Sequence, residues 1–324
     1  MKFRSLEKTN INCPIIGFGA APLGDLFQNL SEKKAQKLLQ QAQSHNITFY
    51  DTSPFYGYGL SEKRLGEHFK NLERDSFIVS TKVGRYLIPE DPAKIDRRVF
   101  KGGLNYKPII DYSYEGVMRS FEQSLKRLNV DHLDICLIHD VDHFTHGDQT
   151  EQYFKEALKG AYVALQRLKD QKLVKAIGLG LNDADMASRF IETKSFDCVL
   201  LAGRYTLLDQ SAANTFLDLA QNREVGVILG GVFNSGILAK GTIGSTYFYQ
   251  SIPKKIKKKY AMIKDLCVKY KVPVPAAAIQ FCLRHPAVTS VILGMDETTQ
   301  IKENIAYSNH PIADDFWEEF RKLN

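Results

Sequence analysis

Eight short runs of β-forming residues recur along the chain, separated by longer stretches with helical spacing. The runs are Ile15–Ala21, Ile47–Thr52, Phe77–Val83, Leu133–His139, Val174–Leu181, Cys198–Ala202, Val225–Gly230 and Ser290–Gly294. Most are apolar on both alternating faces, the pattern of parallel strands covered on both sides. Parallel neighbours cannot be joined by a tight turn; they need a crossover, usually a helix. Helical spacing is visible in Glu32–Ser44, Glu62–Phe69, Tyr114–Leu128, Phe154–Asp170 and Ala184–Thr193, with Ser31 and Ser61 as the expected N-caps of the first two. Eight strand–helix units predict an α/β fold, a (β/α)8 TIM barrel, rather than a doubly wound sheet. No Gly/Pro/Ser-rich linker divides the 324 residues, so residues 1–324 read as a single domain.

Composition narrows the function classes. Hydrophobic residues make up 44% and charged residues 25%, ordinary values that argue against a disordered chain. The net charge is only +6, and part of it sits in the run Lys254–Lys259, which reads as a solvated helix face; no nucleic-acid partner is expected. No apolar run reaches the ~18 residues of a membrane span, and residues 1–5 lead into polar sequence without an apolar leader core, so neither membrane nor secretion is expected. The five cysteines are odd in number and widely spaced, without a CxxC pair. That excludes a disulfide framework and points to a reducing, cytoplasmic setting. His139, His143 and His146 fall close together, but the last two lie in polar sequence, and no metal site is expected. Nothing in the sequence specifies an oligomeric state.

The chemistry-bearing residues stand at strand ends. Asp51 follows Ile47–Tyr50 near the end of the second run, with Tyr56 five residues later; Lys82 lies at the end of the third and His139 at the end of the fourth. Loops after barrel strands share the C-terminal face, so the fold would gather all four. The connections Arg85–Asp111 and Asp140–Tyr153 are long enough to serve as lids or binding loops there. A phenol with an ordinary pKa of ~10 is a poor proton catalyst near neutrality. A neighbouring ammonium stabilises phenolate, a carboxylate holds the ammonium, and an imidazole orients a carbonyl. Together they suit a Tyr that gives or takes a proton while a hydride moves elsewhere.

These residues lie in segments that resemble the aldo-keto reductase superfamily: Ile16-Gly17-Phe18-Gly19-Ala20, Tyr50–Gly57, Leu65-Gly66, Thr81–Gly84, Asp131–His139 and Ile177–Gly180. The resemblance implies that Tyr56 is the acid/base, that Lys82 and Asp51 tune it, and that His139 orients the substrate oxygen. The later segments Leu200–Asp209 and Gly230–Leu238 are most like the branch containing D-threo-aldose 1-dehydrogenase (L-fucose dehydrogenase), L-galactose dehydrogenase and pyridoxal 4-dehydrogenase. The implied activity is hydride transfer between NAD(P) and a small carbonyl or sugar substrate, of the aldose 1-dehydrogenase type. The alternatives are a pyridoxal 4-dehydrogenase, a broad NADPH-dependent aldehyde reductase, and a non-catalytic regulatory protein on the same fold.

By the same resemblance, Gly19 and Ala20 lie beneath the nicotinamide ribose, Asp51 borders it and Asn182 binds the carboxamide. Phe233, Asn234, Ser235, Gly236 and Leu238 line the pyrophosphate, where a Gly-rich stretch lets backbone approach closely. Ala202 and Gly230 stand where the family commonly has a Gln and a stacking aromatic residue. Gly294, Asp296, Gln300 and Asn304 meet the adenosine, and the negative charge of Asp296 and Glu297 favours NAD, with NADP possible. The substrate pocket is expected to draw on Phe55, Tyr56, Arg85, His139 and Arg204, with Tyr86 and His143 nearby.

Overall fold

The computed structural model describes residues 1–248 and 250–323. Its strands, in chain order, are β1 (Phe3–Ser5), β2 (Asn12–Pro14), β3 (Ile16–Gly19), β4 (Phe49–Asp51), β5 (Ile78–Val83), β6 (Arg85–Pro89), β7 (Tyr106–Ile110), β8 (Leu133–His139), β9 (Val174–Leu181), β10 (Cys198–Ala202), β11 (Gly226–Gly230) and β12 (Val288–Gly294). Eight of them close a barrel in the order β3-β4-β5-β8-β9-β10-β11-β12, every neighbour parallel. The eight expected strand runs are these eight strands, with ends differing by up to two residues. No single helix among the described residues is long and apolar enough to cross a membrane.

Side chains alternate in and out along each strand. The outward set, including Phe18, Tyr50, Val79, Cys136, Ile138 and Ile177, joins the large core beneath the helices. The inward set forms a separate cluster containing Phe49, Ile135, Leu137, Ala176, Cys198, Leu200, Ile228 and Ile292. Leu6, Ile11 and Cys13, from the β1–β2 hairpin and its turn, complete that cluster and plug the N-terminal end. This hairpin is too short to leave a periodic signal in the sequence. The period of two then dictates what stands at the other end: Asp51 follows Phe49, Lys82 follows Ile78 and Ser80, and His139 follows Ile135 and Leu137.

Three local expectations are corrected. The helix Leu60–Phe69 is capped by Gly59, in a left-handed conformation; Ser61 lies inside it, where its hydroxyl bonds Thr52 Oγ1 (2.8 Å) and the Ala20 carbonyl (2.7 Å). The expected helix Phe154–Asp170 is two helices, Thr150–Lys159 and Ala161–Asp170, broken at Gly160. A Cβ there would lie 2.5 Å from the Tyr112 carbonyl, so close packing against Tyr112-Ser113 explains the Gly. The long connection after β5 is not a free loop: β6 and β7 pair antiparallel within it. Ser31 does cap its helix, accepting from the Lys34 N–H (3.3 Å), and the Lys254–Lys259 run opens the helix Lys254–Lys269, with Lys254, Lys255, Lys257 and Lys258 exposed.

Candidate active site

The C-terminal mouth of the barrel brings Asp51, Tyr56, Lys82 and His139 together. Lys82 is 1% exposed and its ammonium donates to Asp51 Oδ2 (2.8 Å), the Thr52 carbonyl (2.7 Å) and Tyr56 OH (3.3 Å). Its stem lies over Gly180, where a Cβ would come within 3.2 Å of Lys82 Cε. Asp51 Oδ1 accepts from Ser80 Oγ (3.0 Å), its cross-strand partner. Burial alone would push the Lys82 pKa down; the Asp51 charge and the Tyr56 oxygen outweigh it and hold the group above its ordinary value, firmly an ammonium at neutral pH.

Tyr56 is delivered by the turn after β4. Gly57 has φ +61°, and a Cβ there would lie 2.5 Å from the Gly24 carbonyl oxygen, so the two backbones fix the Tyr56 loop by contact. Phe100, from the connection between β6 and β7, packs against Tyr56 (ring centroids 6.4 Å), Phe55 (5.6 Å) and Tyr58 (6.0 Å). The sequence reading missed Phe100, because a buried aromatic in irregular sequence has no periodicity to betray it.

His139 is buried, with its ring centroid 6.3 Å from that of Tyr56. Burial, with the Arg85 and Lys82 charges added to it, pushes its pKa well down, so the imidazole is neutral. Ser53 Oγ, which accepts the Phe55 N–H (3.1 Å), lies 3.2 Å from His139 Nδ1 and can give it its hydroxyl proton. That arrangement suits the tautomer with its proton on Nε2, which lies 3.4 Å from Asp140 Oδ2.

Of the other expected substrate residues, Phe55 is half-buried at the rim with the Arg85 guanidinium 5.0 Å from its ring centroid. Arg85 itself is 5% exposed and lies against Asp140, Nη1 to Oδ2 3.0 Å. Arg204 donates from Nε to the Asn182 carbonyl (2.6 Å), pairs with Asp209 (3.3 Å) and lies on the Phe248 ring. Tyr86 is half-buried, and His143 is exposed on the short helix His143–His146.

The expected cofactor residues stand at or after the C-terminal ends of β3, β9, β11 and β12. Gly19 ends β3, and the Ala20 N–H donates to the Asp51 carbonyl (2.9 Å). Asn182 follows β9 and donates from Nδ2 to Asp140 Oδ1 (3.2 Å). After β11 the backbone is left-handed at Asn234, Ser235 and Gly236 in succession, leading into the short helix Ile237–Lys240 that carries Leu238; Phe233 is half-buried beside it. Asn234 is 4% exposed, yet neither side-chain amide atom has a hydrogen-bond partner. A buried amide unmatched on both atoms is costly unless a ligand meets it, so this turn fits a bound dinucleotide. Past β12 and the exposed Gly294, Asp296 accepts from Gln28 and from Gln300 Nε2 (2.9 Å). Gln300 Oε1 accepts the backbone N–H groups of Asp296 (2.8 Å) and Glu297 (3.1 Å), so Gln300 caps the helix Thr298–Ser308; Asn304, one turn on, is buried.

The profile of the aldo/keto reductase family matches residues 15–324. The chain is 38% identical to a pyridoxal 4-dehydrogenase from Microbacterium luteolum, over 98% of this chain and 96% of that one. It is 35% identical to a D-threo-aldose 1-dehydrogenase from a Pseudomonas species (94% and 92%) and 30% identical to an L-galactose dehydrogenase from Arabidopsis thaliana (94% and 88%). In fold it is similar to the holo form of an aldo-keto reductase from Bacillus halodurans, with TM-score 0.77 and 20% identity over 100% of this chain and 96% of that one. The chain therefore belongs to the aldo/keto reductase family and is an NAD(P)-dependent oxidoreductase.

Proposed function

We propose that the protein oxidises a cyclic hemiacetal to a lactone, in the manner of an aldose 1-dehydrogenase acting on L-fucose or another D-threo-aldose, with NAD as acceptor. The observation that carries this reading is the buried Asp51–Lys82–Tyr56 chain ending beside a neutral His139. The relatives support the substrate class. An aldose closes on itself as a ring hemiacetal, and pyridoxal can do the same through its neighbouring hydroxymethyl group.

In this reading Tyr56 removes the proton of the hemiacetal hydroxyl. Lys82 stabilises the phenolate that receives it, and Asp51 holds Lys82 in place. His139 donates from Nε2 to the reacting oxygen and fixes its position. When bound, the nicotinamide supplies the hydride acceptor. Gly19, Ala20 and Asn182 would border that ring; Phe233, Asn234, Ser235, Gly236 and Leu238 would hold the pyrophosphate; Gly294, Asp296, Gln300 and Asn304 would hold the adenosine. A second reading takes pyridoxal as the hemiacetal, favoured by the aromatic wall of Phe55 and Phe100 beside Tyr56. A panel of aldoses and pyridoxal, each assayed with NAD and NADP, tests both: activity only on unsubstituted aldehydes with NADPH overturns them.

The preference for NAD rests on Asp296. Gln28 and Gln300 hold its two carboxylate oxygens, so the charge stays in place beside the expected ribose. A 2′-phosphate would meet like charge worth about 4 kcal/mol at ~4 Å and an effective dielectric of ~20, before screening reduces it. A preference of about one to two decades in kcat/KM is expected. Asp296→Arg is expected to improve NADP use selectively; a wild-type enzyme preferring NADP, or an unmoved ratio in the variant, refutes the role of Asp296.

A further inference from the structure

Asp140, the residue directly after His139, has no part in the Asp51–Lys82–Tyr56–His139 chemistry. Its position is nevertheless tightly built. The backbone is left-handed (φ +52°), and its N–H donates to the Gly180 carbonyl (2.9 Å). Oδ1 accepts from Asn182 Nδ2 (3.2 Å). Oδ2 lies 3.0 Å from Arg85 Nη1 and 3.4 Å from His139 Nε2. The Arg85 guanidinium is buried against that oxygen and fixes the carboxylate in place. Ser53 engages the imidazole at Nδ1, which leaves the Nε2 proton to be shared between a substrate oxygen and the Asp140 carboxylate beside it.

Asn182 and Arg85 each meet one oxygen of that carboxylate, and a carboxylate oxygen can accept a further hydrogen bond. Two buried or nearly buried carboxylates, Asp140 and Asp142, share the single Arg85 guanidinium, while Lys82 is paired with Asp51 and Arg204 with Asp209. A substrate oxygen on Nε2 therefore brings its neighbouring carbon, and any hydroxyl on it, to the Asp140 carboxylate. A hydroxyl there donates a charge-assisted hydrogen bond, one of the stronger kinds. A bare methylene at the same place offers that carboxylate no donor and forgoes the bond.

We propose that Asp140, held by Arg85 and Asn182, is a specificity-determining residue that accepts a hydrogen bond from the hydroxyl vicinal to the reacting carbon, selecting hydroxylated hemiacetals over their deoxy counterparts. The inference rests on the hemiacetal reading above and adds the subsite that recognises the second hydroxyl.

The test compares kcat/KM for L-fucose and 2-deoxy-L-fucose with saturating NAD, in the wild type, in Asp140→Asn and in the double variant Arg85→Gln/Asp140→Asn. The double variant removes both charges and so avoids a buried, unpaired guanidinium should the single variant fold poorly. The wild type is expected to favour L-fucose by about ten- to hundredfold. Both variants are expected to lose activity mainly on L-fucose, bringing the ratio to within about threefold. A wild-type ratio near one, or a variant in which both sugars fall by the same factor, overturns the role of Asp140 while leaving the hemiacetal reading standing. A wild type that oxidises neither sugar overturns that reading and the subsite with it.

Discussion

Tyr56→Phe is expected to lower kcat by about 10²–10⁴-fold while changing cofactor affinity little. The substitution keeps the ring that packs against Phe100 and removes only the hydroxyl that accepts from Lys82 Nζ at 3.3 Å. General acid–base catalysis contributes factors of this size, so the loss belongs to the proton transfer rather than to binding. A loss in kcat and in kcat/KM by equal factors would mark an interaction made in the transition state alone. The measurement is steady-state kinetics with the preferred sugar, alongside quenching of protein fluorescence by NADH as the binding control. Turnover within about threefold of wild type would remove Tyr56 from the proton-transfer role, and a parallel loss of NADH binding would assign the effect to a distorted pocket.

What the sequence reveals and what it hides divide along physical lines. The barrel is legible because its strands are fully covered: long apolar runs such as Leu133–His139 and Val174–Leu181 coincide with β8 and β9 to the residue. The four residues at the mouth are legible because a barrel sends every strand end to the same face. The parts that escape depend on contacts between segments distant in the chain. The β6–β7 pair lies in sequence rich in Pro, Gly and charge, and its register is set by the pairing of Arg85–Pro89 with Tyr106–Ile110. The break at Gly160 arises from the neighbouring Tyr112-Ser113 backbone. Arg85 reads in sequence as a loop cation at the pocket rim, and its burial follows only once Asp140 is brought to within 3.0 Å. Gln300 falls where a family resemblance assigns adenine contact, and the structure also engages its amide in capping a helix. Asp140 is the instructive case: its place next to His139 is plain in the sequence, but its proximity to Nε2 depends on a left-handed backbone that no periodicity announces.

Lys82→Met is expected to do two separable things. The first is a loss of stability. Asp51 is 3% exposed and Lys82 1%, so removing the ammonium strands a buried carboxylate, a change that typically costs about 3–5 kcal/mol. Because the folded protein holds the Lys82 pKa above its ordinary value, the pair's contribution is complete below the unfolded lysine pKa of ~10.4 and fades as pH rises through the folded one; neutral pH retains all of it. The thermal midpoint of the single variant at pH 7 should therefore fall. The double variant Asp51→Asn/Lys82→Met, which leaves no stranded charge, should recover much of that fall. The second effect is on proton transfer. Without the ammonium, the phenolate of Tyr56 loses the charge that favours it, and the midpoint of the pH–rate profile for oxidation should move up, or activity should vanish. Stability that returns in the double variant while activity does not would separate the structural work of the pair from its chemical work. A single variant with wild-type melting and an unmoved pH–rate midpoint would refute both, since neither the buried charge nor the phenolate would then depend on Lys82.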